Sequence, residues 1–125
     1  MPDLMARAAE FIAGKLAASV SRPVTYVRGN DSVVLDATVG RSSFDVDDGH
    51  GVMRFETRDY VVRMDALVLG GTATLPRRGD RVLEEMGDGN TVAYEVINVA
   101  GSPEWRPCDS SRVLIRIHTK LAGTA

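Results

Sequence analysis

Leu75-Pro76-Arg77-Arg78-Gly79-Asp80-Arg81-Val82, followed by Tyr94-Glu95-Val96-Ile97-Asn98-Val99, reads as a tight turn into a strand and a strand that returns. Pro76 presets φ for the turn, and Gly79 can take φ > 0 without steric cost. Asp80 is placed to accept a bond from nearby backbone just before the strand begins. The Gly/Asp/Asn cluster from Met86 to Asn90 supplies the second turn. This hairpin sits in the C-terminal half of a chain whose remaining pattern is mostly β.

Working outward, Pro2-Asp3 opens a predicted helix over about 3–20, with Asp3 as a good N-cap. Leu4, Ala8, Phe11, Ile12 and Leu16 recur at helical spacing and make one apolar face. The helix should stop before Pro23, because the residue preceding a proline disfavours the α region. From Pro23 the pattern is β: Val24 to Arg28, a Gly29-Asn30-Asp31 turn, then Ser32 to Val39. Residues 40–51 show no clear periodicity and hold Asp45, Asp47, Asp48 and three glycines, so a long acidic loop is expected there. Val52 to Arg58 alternates, and Tyr60 to Met64 continues with shifted parity, which predicts a bulge near Asp59. Asp65 to Leu69 is a short turn or edge segment ended by Gly70-Gly71. Residues 101–107 read as a loop carrying Trp105, and Val113 to His118 as a last strand. The tail 121–125 is expected to fray.

The expectation is therefore mainly β: a small antiparallel β-barrel or sandwich of six or seven strands with one N-terminal α-helix. With 125 residues the chain reads as a single domain, 1–125, with the barrel over about 23–119. A chain of this size buries about two thirds of its unfolded surface and needs neither disulfide nor metal to fold. A net charge of −2 argues against a general nucleic-acid binder. It leaves open a ring whose inner wall faces DNA. The single Cys108 cannot form an internal disulfide and fits a reducing cytoplasm. No apolar run approaches the ~20 residues of a membrane span. Arg7, Glu10 and Lys15 interrupt any signal-peptide core.

Candidate chemistry is sparse. Arg78-Gly79-Asp80 spells an integrin-binding tripeptide, but the turn accounts for all three residues. Asp45, Asp47 and Asp48 beside His50 lack the ligand spacing of a calcium loop and read as a solvated acidic segment. His50 and His118 have no nucleophile in a recognisable context, although a triad can assemble in space. Gly70-Gly71-Thr72 lacks the spacing and lysine of a phosphate loop. Neither catalytic residues nor cofactor or metal ligands are expected. Trp105 reads equally as an interface anchor and as a lid over the end of a barrel.

These residues together resemble the head–tail joining (head-completion or stopper) proteins of tailed bacteriophages and prophages. The likeness rests on the N-terminal helix, Val24-Thr25-Tyr26-Val27-Arg28-Gly29, the Gly/Asp segment, and Phe55 with Tyr60-Val61-Val62. It continues through Asp65-Ala66-Leu67, the Pro76 to Val82 turn, Tyr94-Glu95-Val96 and a closing strand. The resemblance implies a small β-barrel with an added helix. It implies a ring, usually of six copies, in the virion neck between the portal or adaptor and the tail proteins. The free chain is expected as a monomer, assembled in the host cytoplasm. Packaged DNA would pass without sequence-specific binding, and no membrane is involved.

In some members the long early loop obstructs the channel. The matching residues here are Arg41, Phe44, Asp45, Val46, Asp47, Asp48 and His50. Trp105, Arg106, Arg77 and Arg78 are the expected interface. A tail terminator or another neck component shares this size and β character. A cellular small-barrel binding module and a small enzyme using His50 or His118 remain as readings from other classes.

Overall fold

β-branched and aromatic residues at alternating positions drive strand formation through most of the chain. The computed structural model describes residues 21–47, 49–99, 101–108 and 113–124. The helix expected over about 3–20 lies outside the described residues. The strands are β1 (Arg22–Arg28), β2 (Asp31–Asp47), β3 (Val52–Arg63), β4 (Val68–Leu69), β5 (Thr72–Ala73), β6 (Arg81–Glu85), β7 (Thr91–Val96), β8 (Trp105–Pro107) and β9 (Leu114–Thr124). Seven of them form one antiparallel sheet in the order β3-β2-β1-β6-β7-β9-β8, and β3 pairs with β9 as well. The ladders through β3, β2, β1, β6, β7 and β9 therefore return to their starting strand.

Apolar side chains of these six strands gather inside. Val24, Tyr26, Leu35, Tyr60, Val62, Val82, Val96, Ile115 and Ile117 are buried in one cluster with Leu67 and Leu69. Trp105 and Tyr94 pack against it from partly covered positions. Leu67 and Leu69 arrive on a short 3-10 turn, Met64–Ala66, and on the β4–β5 hairpin. Gly70 and Gly71 both have positive φ (59° and 80°), the backbone that a two-residue hairpin of right-handed twist demands.

The hairpin that decided the sequence reading forms as β6 and β7, paired from Arg81↔Glu95 to Glu85↔Thr91. Its leading turn spans Arg77 to Asp80. The Asp80 N–H donates to the Arg77 carbonyl at 3.1 Å, with Gly79 at φ 94°. Gly79 occupies the turn position that needs positive φ.

Three expectations fail in instructive ways. The acidic loop over about 40–51 is strand for most of its length: β2 runs to Asp47 and β3 resumes at Val52. Arg41, Ser43, Asp45 and Asp47 are exposed, while Ser42, Phe44 and Val46 are half-buried. The alternation is real but weak, because small and charged residues stand where apolar ones would have announced it. Nor is there a bulge near Asp59, where the β2–β3 register runs unbroken from Thr38↔Val61 to Asp47↔Val52. The apparent parity shift arises because both faces of β3 are covered there, with Thr57 and Asp59 buried on one and Tyr60 and Val62 on the other. The bulge lies in the β7–β9 ladder instead, between Ala93 and Tyr94. The tail from Leu121 is ordered into β9, where Val92↔Thr124 pairs it to β7.

Candidate functional site

β2 serves two ladders in turn. Its first part pairs with β1, from Arg28↔Asp31 to Arg22↔Ala37. Its second part pairs with β3, from Thr38↔Val61 to Asp47↔Val52. β9 covers β3 only from Arg58↔Thr119 to Arg63↔Leu114. Residues 42–47 and 52–57 thus form a two-stranded ribbon that runs past the last β3–β9 pair. Phe44 stands opposite Phe55, and Val46 opposite Met53. Cross-strand pairs of this kind hold a ribbon together where no third strand helps.

The root of the ribbon is built around Asp59, whose side chain is fully buried. It accepts hydrogen bonds from Ser42, from Thr57 Oγ1 at 2.6 Å and from Arg116 Nη1 at 2.9 Å. His118 Nδ1 lies 2.9 Å from Oδ1, the oxygen that Thr57 also reaches. Burial opposes charge on Asp59, but bonds from His118, Ser42, Thr57 and Arg116 outweigh it and hold its pKa down at about 2. Arg116 also reaches the Arg41 carbonyl at 3.3 Å. Gly40 makes room for it: a Cβ there would meet Arg116 Nη1 at 3.1 Å. Phe44 stands edge-on to the His118 ring, with centroids 5.3 Å apart. Both ribbon strands are thereby tied to β9.

Two more carboxylates are buried in the body. Glu84 accepts from Arg22 at 2.8 Å, Arg58 at 2.9 Å and the Tyr60 hydroxyl at 2.7 Å. Arg58 also lies over the Tyr94 ring, 4.9 Å from its centroid. Asp80 accepts from the Tyr26 hydroxyl, from Arg28 Nη2 at 2.7 Å and from the Arg77 N–H at 3.0 Å. Arg28 continues to Thr74 Oγ1 and the Leu75 carbonyl, so the turn is clamped to β1. Burial resists ionisation of both acids, yet these donors keep each below its ordinary pKa. The two tyrosines are pushed the other way, first by burial and then by their acid partners. Among the described residues every buried side-chain nitrogen and oxygen has a partner, as buried polar groups require.

Of the expected gate residues, Phe44, Asp45, Val46 and Asp47 lie on the ribbon rather than on a loop, and Arg41 lies at its root. Arg41, Asp45 and Asp47 face solvent, Phe44 and Val46 are half-covered, and His50 is exposed in the turn. Asp48 lies outside the described residues. Asp45 pairs loosely with Arg54 at 3.6 Å, and Asp47 accepts the Gly49 N–H at 2.9 Å. The expected interface residues divide. Arg77, Arg78 and Arg106 are exposed, while Trp105 in β8 packs against the core opposite Ile117. Asp80 of the Arg-Gly-Asp turn has only 6 % of its side chain exposed and is consumed by Tyr26 and Arg28, so the tripeptide is a folding device.

Ser42, Asp59 and His118 are the residue types of a hydrolytic triad. Here the serine donates to the carboxylate and not to the imidazole. A triad needs the histidine between the other two. Of the three buried carboxylates the sequence singled out only Asp80, as a backbone acceptor at the turn, and the clusters around all three were missed. Their signal was a charge on the inward parity of a strand, as Glu84 two residues from Val82, or an acid beside a core aromatic, as Asp59 beside Tyr60.

A cleft of about 430 Å³ lies beside the ribbon, with Val46, Phe55, Ile97 and Val99 as apolar lining and Arg78 and Lys120 as cations. Glu95 and Asn98 complete its wall.

No curated protein and no solved structure matches the chain. A family model does, that of the phage head–tail joining proteins, over residues 2–125. With nearly its whole length matched, the chain belongs to the phage head–tail joining protein family, a structural family of the virion's head–tail junction.

Proposed function

We propose that this protein joins head to tail in the neck of a tailed phage or prophage and closes the DNA channel beneath the portal or adaptor. The family match over residues 2–125 carries the reading. The cycle of six paired strands supports a small β-barrel within a single domain. Copies would assemble as a ring, six in number by the family resemblance, with one patch meeting a different patch on the neighbour so that the rotation closes. Arg77, Arg78, Arg106 and the Trp105 segment would face neighbours in the ring or in the adjoining head and tail proteins. The free chain would be a monomer, assembling on its docking site in the bacterial cytoplasm.

The ribbon supports the channel-closing part of this reading. It is long, tied to β9 at its root, and exposed at its tip. Phe44 and Val46 would meet between subunits of a closed iris. Asp45, Asp47 and Asp48, repeated around a ring, would make a negative constriction that repels phosphates, so DNA could lie close without sticking.

Electron microscopy of particles lacking this gene tests the neck assignment. Filled or leaking heads beside free, complete tails are expected. Normally joined particles would remove the assignment. For the ribbon, replacing Asp45, Asp47 and Asp48 with Lys should retard DNA ejection. Unchanged ejection kinetics with normal neck assembly would sink the electrostatic gate.

A further inference from the structure

The β3–β9 ladder ends at Arg58↔Thr119. Beyond it, among the described residues, 52–57 of β3 pair only with β2, and 120–124 of β9 pair only with β7. Two strand edges therefore part company at one seam, each with backbone donors and acceptors on the side facing the other. The cleft of about 430 Å³ is lined from both strands, by Phe55 of β3 and Lys120 of β9. Three of the large apolar side chains most exposed on the surface belong to these edges: Val52 at 70 %, Leu121 at 64 % and Met53 at 56 %. Unpaired edges beside exposed apolar residues are what a protein leaves open when another chain is to add a strand.

The charge at the seam selects the guest. Arg78 and Lys120 border the cleft, and no described carboxylate forms an ion pair with either. The acid in the wall, Glu95, stands between Arg81 and Lys120 in the ladder register. We propose that the open seam between β3 and β9 is a strand-accepting slot for an extended arm of a neighbouring neck protein, in which acidic residues alternate with apolar ones. The apolar side chains would enter the cleft over Phe55, Ile97 and Val99. The acids would meet Arg78 and Lys120, and main-chain bonds to 52–57 and 120–124 would supply affinity. This deepens the neck reading and rests on it for the source of the arm.

The test uses the full chain and a blocked peptide of alternating Glu and Val, about six residues long to match an ordinary strand. Amide hydrogen exchange at 52–57 and 120–124 is followed by NMR. Protection at both edges is expected with this peptide, and none with a Lys–Val peptide of equal length. Arg78→Glu with Lys120→Glu, both at exposed positions, should weaken binding about tenfold, and added salt should weaken it in the unchanged chain. Three results would overturn the slot: no protection at millimolar peptide, equal protection by the Lys–Val peptide, or protection that appears without peptide as protein concentration rises. The last would mean a second copy fills the seam. Normally joined particles without the gene would refute the neck reading and leave the peptide result standing. Absence of peptide binding with disrupted particles would refute the slot alone.

Discussion

The two ends of β2 make a controlled comparison within one strand. Leu35 and Ala37, on its first half, are buried between β1 and the core. Phe44 and Val46, on its second half, are only half-covered although they are larger or equally apolar. The backbone is continuous and the alternation the same. Each half has one ladder partner, β1 or β3; what changes is what the inward side chains meet, for Leu35 and Ala37 face the core cluster, whereas the ribbon runs past the last β3–β9 pair. The same difference governs the charges. Body carboxylates are desolvated and fully bonded, while ribbon acids sit in water beside weak partners. Stability thus concentrates where ladders close, and the ribbon is left free to be shaped by whatever it meets.

The largest test of this contrast is Glu84→Ala. It strands Arg58 and the Tyr60 hydroxyl at the heart of the body. Breaking a buried pair by removing one partner costs about 3–5 kcal/mol. Urea unfolding should show a loss of that order for the whole chain. A loss below 1 kcal/mol would mean that water or Tyr94 takes over the abandoned groups and that the body is not held by this cluster.

Acid sharpens the comparison next. Asp59 has a folded pKa of about 2 against an ordinary 3.8. A depressed carboxylate contributes stability that is complete above the unfolded value and lost as pH falls through the folded one. The window is therefore about pH 4 down to 2. A shift of this size is worth roughly 2 kcal/mol. Glu84 and Asp80 are lowered too and act in the same direction. Denaturant midpoints across this range should fall steeply, and Asp59→Asn should flatten the curve while lowering stability at neutral pH. An acid dependence unchanged by Asp59→Asn would break the link between ribbon root and stability.

Phe44→Ala should act on the ribbon more than on the body. The ring packs on His118 and faces Phe55, and truncating a half-covered aromatic costs about 1–2 kcal/mol. Amide exchange should accelerate at 42–47 and 52–57 while Tyr60 to Val62 stay protected. Equal acceleration in both would show that ribbon and body open as one unit.

How much of this was legible follows the same division. The Pro76 to Val82 turn, β1, the first half of β2 and the β6–β7 hairpin were readable because each combines strict alternation with a turn residue whose backbone preference is strong. The second half of β2 was not. Ser42, Phe44 and Val46 alternate with Arg41, Ser43 and Asp45, and a serine on each side erases the contrast that marks a strand. The parity shift at Asp59 misled for a related reason, since a strand covered on both faces has no single inward parity. The carboxylate clusters were the least visible. Asp59, Ser42, Arg116 and His118 come from three strands, and only the β2–β3 and β3–β9 registers bring them together. The segment that carries the candidate gate residues was expected as a loop; as a paired ribbon it has two distinct faces, and a loop would not.

The smallest predicted effect is the most discriminating for the ribbon's role. Asp45 and Arg54 stand opposite each other at 3.6 Å, both largely exposed. Pairs of this kind contribute less than about 0.5 kcal/mol, because water screens them and two long side chains must be ordered. Asp45→Ala should leave the urea midpoint unchanged within error, as should Arg54→Ala. Their double-mutant coupling should vanish further in high salt. A tip acid that adds nothing to the fold has its use, if any, in what approaches the tip. A coupling well above 1 kcal/mol would instead make the pair a structural staple, and the acidic residues could no longer be assigned to an encounter with DNA or a neighbouring chain.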